Sequence, residues 1–142
     1  MADQQPNAAN APMLHRFLGI GATILSAALV LLRANAGMPE QSDTMTLIAY
    51  GIAVVSIGLV VVSVMVLTPR VPERRAGESV DAFWKNPAVT SPVLQIWFMT
   101  EGAVILAAVG YYLTGLIAPA AAMVVALGVY WWLGPRMFAK PS

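Results

Sequence analysis

MTLIAYGIAVVSIGLVVVSVMVL, residues 45–67, is a run of 23 residues without a single charge. At about 1.5 Å per helical residue it covers roughly 35 Å, enough to cross the ~30 Å hydrocarbon core of a bilayer. Inside lipid each backbone amide must be satisfied within its own segment, which selects a helix. The run closes at Thr68-Pro69, because proline disfavours the α conformation of the residue before it. This segment sets the expected class, an all-α integral membrane protein.

The rest of the chain agrees. Of its 142 residues 58% are hydrophobic and 11% charged, and the mean hydropathy is +0.72. A soluble domain has about 45–50% apolar and about 25% charged residues. The formal net charge of +1 gives no overall excess that would favour nucleic acid. With no cysteine, disulfides, thiolate metal sites, iron–sulfur clusters and cysteine nucleophiles are all ruled out. His15 is the single histidine, so two histidines of one chain cannot hold a haem iron or form a conventional zinc site. No metal and no cofactor are expected, and His15 reads as an interfacial residue beside Arg16.

Working outward, residues 1–13 are rich in Gln, Asn, Ala and Pro and read as a flexible N-terminal tail. The run Phe17 to Leu32, flanked by Arg16 and Arg33, makes a first helix of about residues 16–33. Ala34-Asn35-Ala36 before Gly37 also resembles a signal-peptide cleavage site. The long n-region with one arginine, and Arg33 immediately before that site, favour a retained helix. A third helix is expected over about 92–113 with Pro92 in its first turn, and a fourth over about 116–133, ended by Gly134-Pro135. Thr114-Gly115 links them tightly. The prediction is a single four-helix transmembrane domain over 14–138, with a C-terminal tail at 139–142.

The one long polar stretch, residues 70–91, carries Arg70, Arg74, Arg75 and Lys85. Within it Ser79 to Lys85 forms either one or two helical turns capped by Ser79, with Phe83 and Trp84 dipping into the headgroup layer, or an irregular loop with both aromatics buried. Four spans put the tails and this loop on one side with Arg16, Arg70, Arg74, Arg75, Lys85, Arg136 and Lys140, leaving only Arg33 opposite. The positive-inside rule then places both termini in the cytoplasm, and a bacterial inner membrane is the expected location. Tyr111 and Tyr112 fall near the outer interface, Trp131 and Trp132 near the inner one.

Lipid gives helices no hydrophobic reason to associate, so small residues must let them approach. Helix 2 offers Ala49, Ala53, Ser56 and Ser63, and helix 3 offers Ala103, Ala107, Gly110 and Thr114. Gly19, Ala22 and Ser26 on helix 1, with Ala122 and Ala126 on helix 4, complete the seams.

Glu101, about ten residues from either end of helix 3, is the residue that requires an account. An ionised carboxylate at that depth costs roughly 2.5–3.5 kcal/mol on insertion scales. It is therefore a proton or cation carrier, a structural carboxyl bonded to Ser56, Thr100 or a backbone carbonyl, or the partner of a charge from another subunit. The hairpin of helices 2 and 3, with its arginine-bearing connection and mid-membrane Glu101, is similar in layout to the proteolipid of ATP-synthase rotor rings over about half the chain. That resemblance implies ion carriage at Glu101. The chain departs from the family in having only Gly51 and Gly58 on helix 2, in placing Trp97 and Phe98 on the approach to Glu101, and in carrying helices 1 and 4.

No phosphate-binding loop, paired carboxylates or nucleophile with a base is present, so no enzyme is expected. The expectation is a small non-catalytic membrane subunit that packs against partner subunits or copies of itself. Its alternatives are a proton- or cation-translocating element centred on Glu101, and a lipid-contacting regulator using Arg70, Arg74, Arg75, Lys85 and Trp84. Membrane lipids are its expected surroundings, with no nucleic acid.

Overall fold

The computed structural model describes residues 11–37 and 39–140, and among them the secondary structure is helical, without a β-strand. α1 spans Ala11–Asn35, α2 Asp43–Val62, α3 Val80–Lys85, α4 Pro87–Thr114, α5 Ile117–Trp132 and α6 Pro135–Phe138. Three stretches are long and apolar enough to cross a membrane: Ala11–Asn35, Asp43–Arg70 and Pro87–Thr114. α5 is equally apolar but has 16 residues, which at the helical rise is about 24 Å.

Local chemistry explains these limits. Ser42 caps α2 by accepting from the Met45 amide, with Asp43 in the positively polarised first turn. Near its other end α2 widens into a π turn over Ser63–Leu67, the Thr68 amide reaching Ser63 O, before a 3₁₀ turn at Thr68–Arg70. Pro69 lacks an amide hydrogen and would crowd a regular helix there, so the change of pitch sits where proline requires it. α4 ends at Gly115, whose φ of 66° is left-handed and whose amide bonds Tyr111 O.

Two expected limits are corrected. α1 begins at Ala11, so residues 11–13 of the expected tail are helical, while residues 1–10 lie outside the described residues. α4 begins at Pro87, with Asn86 accepting from the Ala88 amide as its cap, and Pro92 lies inside the helix. Asn86-Pro87 combines a good cap with proline at the first helical position, and this outweighs the start at Pro92. Between Ser79 and Lys85 both sequence alternatives are partly realised: Ser79 caps α3 through the Ala82 amide, and Phe83 and Trp84 are nevertheless buried. Of the expected C-terminal tail, Ala139 and Lys140 are described.

α4 is the central helix, packed against α1, α2 and α5. His15 meets Trp97 at one end, while Arg33 reaches Tyr112 O at the other, so α1 and α4 run in the same direction. α2 and α5 return: Leu67, Tyr130 and Leu133 pack with Ala11 and Trp97 at the end where α1 and α4 begin. The described ends of the chain and the 70–86 connection therefore gather at one end of the bundle.

The core has two unlike parts. Midway it is alanine-rich, with Ala22, Ala103, Ala107, Ala108, Ala122 and Ala126 around Val60, Val104 and Met123. Small side chains bring backbones close, as association in lipid requires. At the connection end the core is instead aromatic, built around Phe83, Trp84, Trp97, Tyr130 and Phe138. The outside is apolar, with Phe17, Leu47, Val54, Met65, Phe98 and Ile117 all exposed. So continuous an apolar surface belongs in lipid, and the chain reads as a membrane protein.

Candidate functional site

The seams named from the sequence are where the helices meet. Ala49 and Ser56 on α2, Ala103, Ala107 and Gly110 on α4, and Ala122 and Ala126 on α5 are buried, with Ala53 partly so. Gly110 is a true close approach: a Cβ there would lie 2.6 Å from Cγ2 of Ile52. On α1 the buried stripe is Ala11, His15, Gly19, Ala22 and Ser26, and a Cβ on Gly19 would lie 2.6 Å from Cε1 of Tyr130.

His15 is corrected from an interfacial residue to a core one, 2% exposed. Its ring stacks on Tyr130 with centroids 4.6 Å apart and planes within 3°, and Trp97 flanks it at 4.7 Å. Nε2 lies 3.2 Å from the Tyr130 carbonyl, a geometry in which Nε2 carries the proton and donates. Tyr130 in return donates its hydroxyl to the His15 carbonyl at 2.7 Å. Trp97 Nε1 donates to Leu133 O at 2.7 Å. The His15 and Trp97 ring N–H groups thus satisfy carbonyls at the C-terminal end of α5, where helical partners are lacking, while the Tyr130 hydroxyl adds a second bond to a carbonyl inside the first turns of α1. A signal for His15 existed in the sequence: its spacing to Gly19, Ala22 and Ser26 is i, i+4, i+7, i+11, one helical stripe.

Glu101 is partly buried, one turn beyond Trp97 on α4. The hydrogen bonds foreseen for it with Ser56 and Thr100 are not formed: Thr100 donates to Ile96 O, and the buried Ser56 Oγ has no partner among the described residues. Those residues likewise hold no group of three His, Cys, Asp or Glu that could bind a metal ion.

The basic connection is divided. Arg70, Arg75 and Lys85 are exposed, whereas Arg74 is partly buried and donates to Glu78 O at 3.3 Å. Trp84, expected against headgroups, is 2% exposed and packs on Phe83 and Trp97, which corrects that expectation. Burying an indole in the bundle removes more apolar surface from water than resting it among headgroups.

An apolar trough of about 540 Å³ opens between α2 and α5, and its lining includes Ala53, Gly58, Ala118, Ala121 and Ala122. Small residues on both walls hollow out the outer face of the bundle. Comparison of the chain with protein-family models, curated proteins and solved structures finds no significant match.

Proposed function

We propose that the chain is a non-catalytic, four-span subunit of a bacterial inner-membrane assembly, with both termini and the 70–86 connection in the cytoplasm, and that it docks a partner subunit's transmembrane helix. The observation that carries this proposal is a contrast between inside and outside. The interior polar groups of His15, Tyr130, Trp97, Thr100 and Thr114 are engaged with the bundle's own carbonyls. The α2–α5 trough, by contrast, faces outward with Ala53, Gly58, Ala118, Ala121 and Ala122 between larger apolar side chains such as Tyr50, Ile57 and Val125, a hollow in which a further apolar helix can seat. The arginine distribution supports the orientation.

The test is extraction in mild detergent, followed by native mass spectrometry of whatever travels with the chain, for the wild type and for Gly58→Leu and Ala121→Leu. Filling the trough is expected to release the partner while thermal stability is kept; a second copy in place of a different chain would assign the seat to self-association. Unchanged company in both variants would overturn the proposal.

A second reading, ion or proton carriage at Glu101, is supported by its place midway along α4 and its lack of a hydrogen-bond partner among the described residues. Complete loss of ion flux in Glu101→Gln with assembly intact would favour it.

A further inference from the structure

A second cavity, of about 470 Å³, lies at the connection end of the bundle, bounded by the start of α1, by α3, and by the chain from Trp131 to Ala139. Its lining brings together Arg16 and Arg136 with His15, Trp84, Trp131 and Trp132, and includes no aspartate or glutamate among the described residues. Arg16 and Arg136 come from opposite ends of the chain and are exposed. Trp131 and Trp132 are 44% and 58% exposed. Indoles half in the open beside guanidinium groups are the composition of a membrane–water interface, where one face of a ligand is apolar and the other charged.

We infer that this cavity binds the phosphate of an anionic phospholipid, with Arg16 and Arg136 on the phosphodiester and Trp131 and Trp132 against the glycerol and upper acyl chain. Guanidinium is the side chain best matched to phosphate oxygens, because it presents paired donors in a fixed plane. Among the described residues no carboxylate lines the cavity to neutralise the two positive charges. A lipid fits better than a soluble phosphate, since the cavity opens where the apolar outer surface ends and its tryptophans would stand idle around a small anion. The site is separate from the exposed Arg70, Arg75 and Lys85 of the connection, none of which lines it.

The inference rests on the bundle lying in a membrane, so recovery of the full chain from the membrane fraction comes first. The purified chain is then titrated by native mass spectrometry with dioleoylphosphatidylglycerol, with dioleoylphosphatidylcholine and with glycerol 1-phosphate alone. Phosphatidylglycerol should bind about tenfold tighter than phosphatidylcholine, and Arg16→Gln with Arg136→Gln should remove about that preference, two basic contacts being at stake. Arg70→Gln with Arg75→Gln should leave it within about threefold, since those side chains lie outside the cavity. Equal binding of the two lipids, or equal loss in the two double variants, would overturn the inference. Glycerol 1-phosphate binding as tightly as the lipid would overturn it in favour of a soluble ligand. Should the cavity variant fail to fold, the headgroup preference of the wild type and its retention in Arg16→Lys decide the matter.

Discussion

Tyr130 and His15, 115 positions apart, are joined twice: the phenol donates to the histidine's carbonyl at 2.7 Å, and the imidazole lies over the phenol and points Nε2 at the tyrosine's own carbonyl, 3.2 Å away. The pair ties the beginning of α1 to the end of α5. Tyr130→Phe keeps the stacked ring and removes one hydroxyl, so it should cost about 0.5–1.5 kcal/mol. Tyr130→Ala also opens a void among Trp97, His15 and Trp131 and should cost about 3–5 kcal/mol. Reversible unfolding in mixed detergent micelles measures both. Equal losses in the two variants would mean that the hydroxyl, rather than the ring, holds the helices.

Glycines give a sharper comparison, because only some stand where helices touch. Gly19→Ala and Gly110→Ala each drive a methyl to 2.6 Å from a neighbour, Tyr130 in one case and Ile52 in the other. Ile52 is β-branched and stiff about χ1, and Tyr130 is locked by its hydrogen bond, so neither yields easily. A loss of about 1–3 kcal/mol is expected for each. Gly51, Gly102 and Gly128 have open space where the methyl would go, and alanine there should be neutral or stabilising by up to about 1 kcal/mol. Ile52→Ala should recover much of the loss in Gly110→Ala, which a double-mutant cycle would show as coupling.

What the sequence made legible follows from the range of the forces involved. The apolar run 45–67 and the small residues Ala49, Ala103 and Ala107 could be recognised because length, hydropathy and helical spacing are local properties. The start of α4 was misplaced because Pro87 and Pro92 both suit a first turn, and only the Asn86 cap separates them. Trp84 and His15 were misjudged for a different reason. Each is amphipathic and sits near a helix end, so only the arrival of Trp97 and Tyr130 from distant segments decides between interface and core. Tyr130 and Leu133 bond to residues 115 and 36 positions away, distances over which spacing carries no information.

Glu101 separates the two functional readings. In a packing subunit, Glu101→Gln should leave the partner bound and stability within about 0.5 kcal/mol, since the side chain has no hydrogen bond to lose among the described residues. A carrier would lose ion flux in that variant, and its carboxyl would react with a lipid-soluble carbodiimide. Mass spectrometry of the labelled chain, with and without the substitution, places the adduct. An adduct at residue 101 that acid promotes and a competing cation suppresses would sink the packing role.

Membrane sidedness can be read from single cysteines, because the chain has none of its own. Cysteines replacing Arg75 and Lys140 should react with an impermeant maleimide from one face of sealed vesicles, and a cysteine replacing Glu40 from the other. Lys140 is the deciding position, because α5 has only 16 residues, about 24 Å against a core of ~30 Å. A helix that short spans by thinning the bilayer locally, or by letting Leu133, Gly134 and the α6 residues complete the depth. Trp97 Nε1 donates to Leu133 O at 2.7 Å, which sets the end of α5 level with Trp97, and beyond it Lys140 shares a cavity with Val71, Pro72 and Glu73 of the connection. This packing predicts that position 140 lies with position 75. Labelling of 140 together with 40 would mean that α5 turns back inside the membrane and that Lys140 does not pack by the connection.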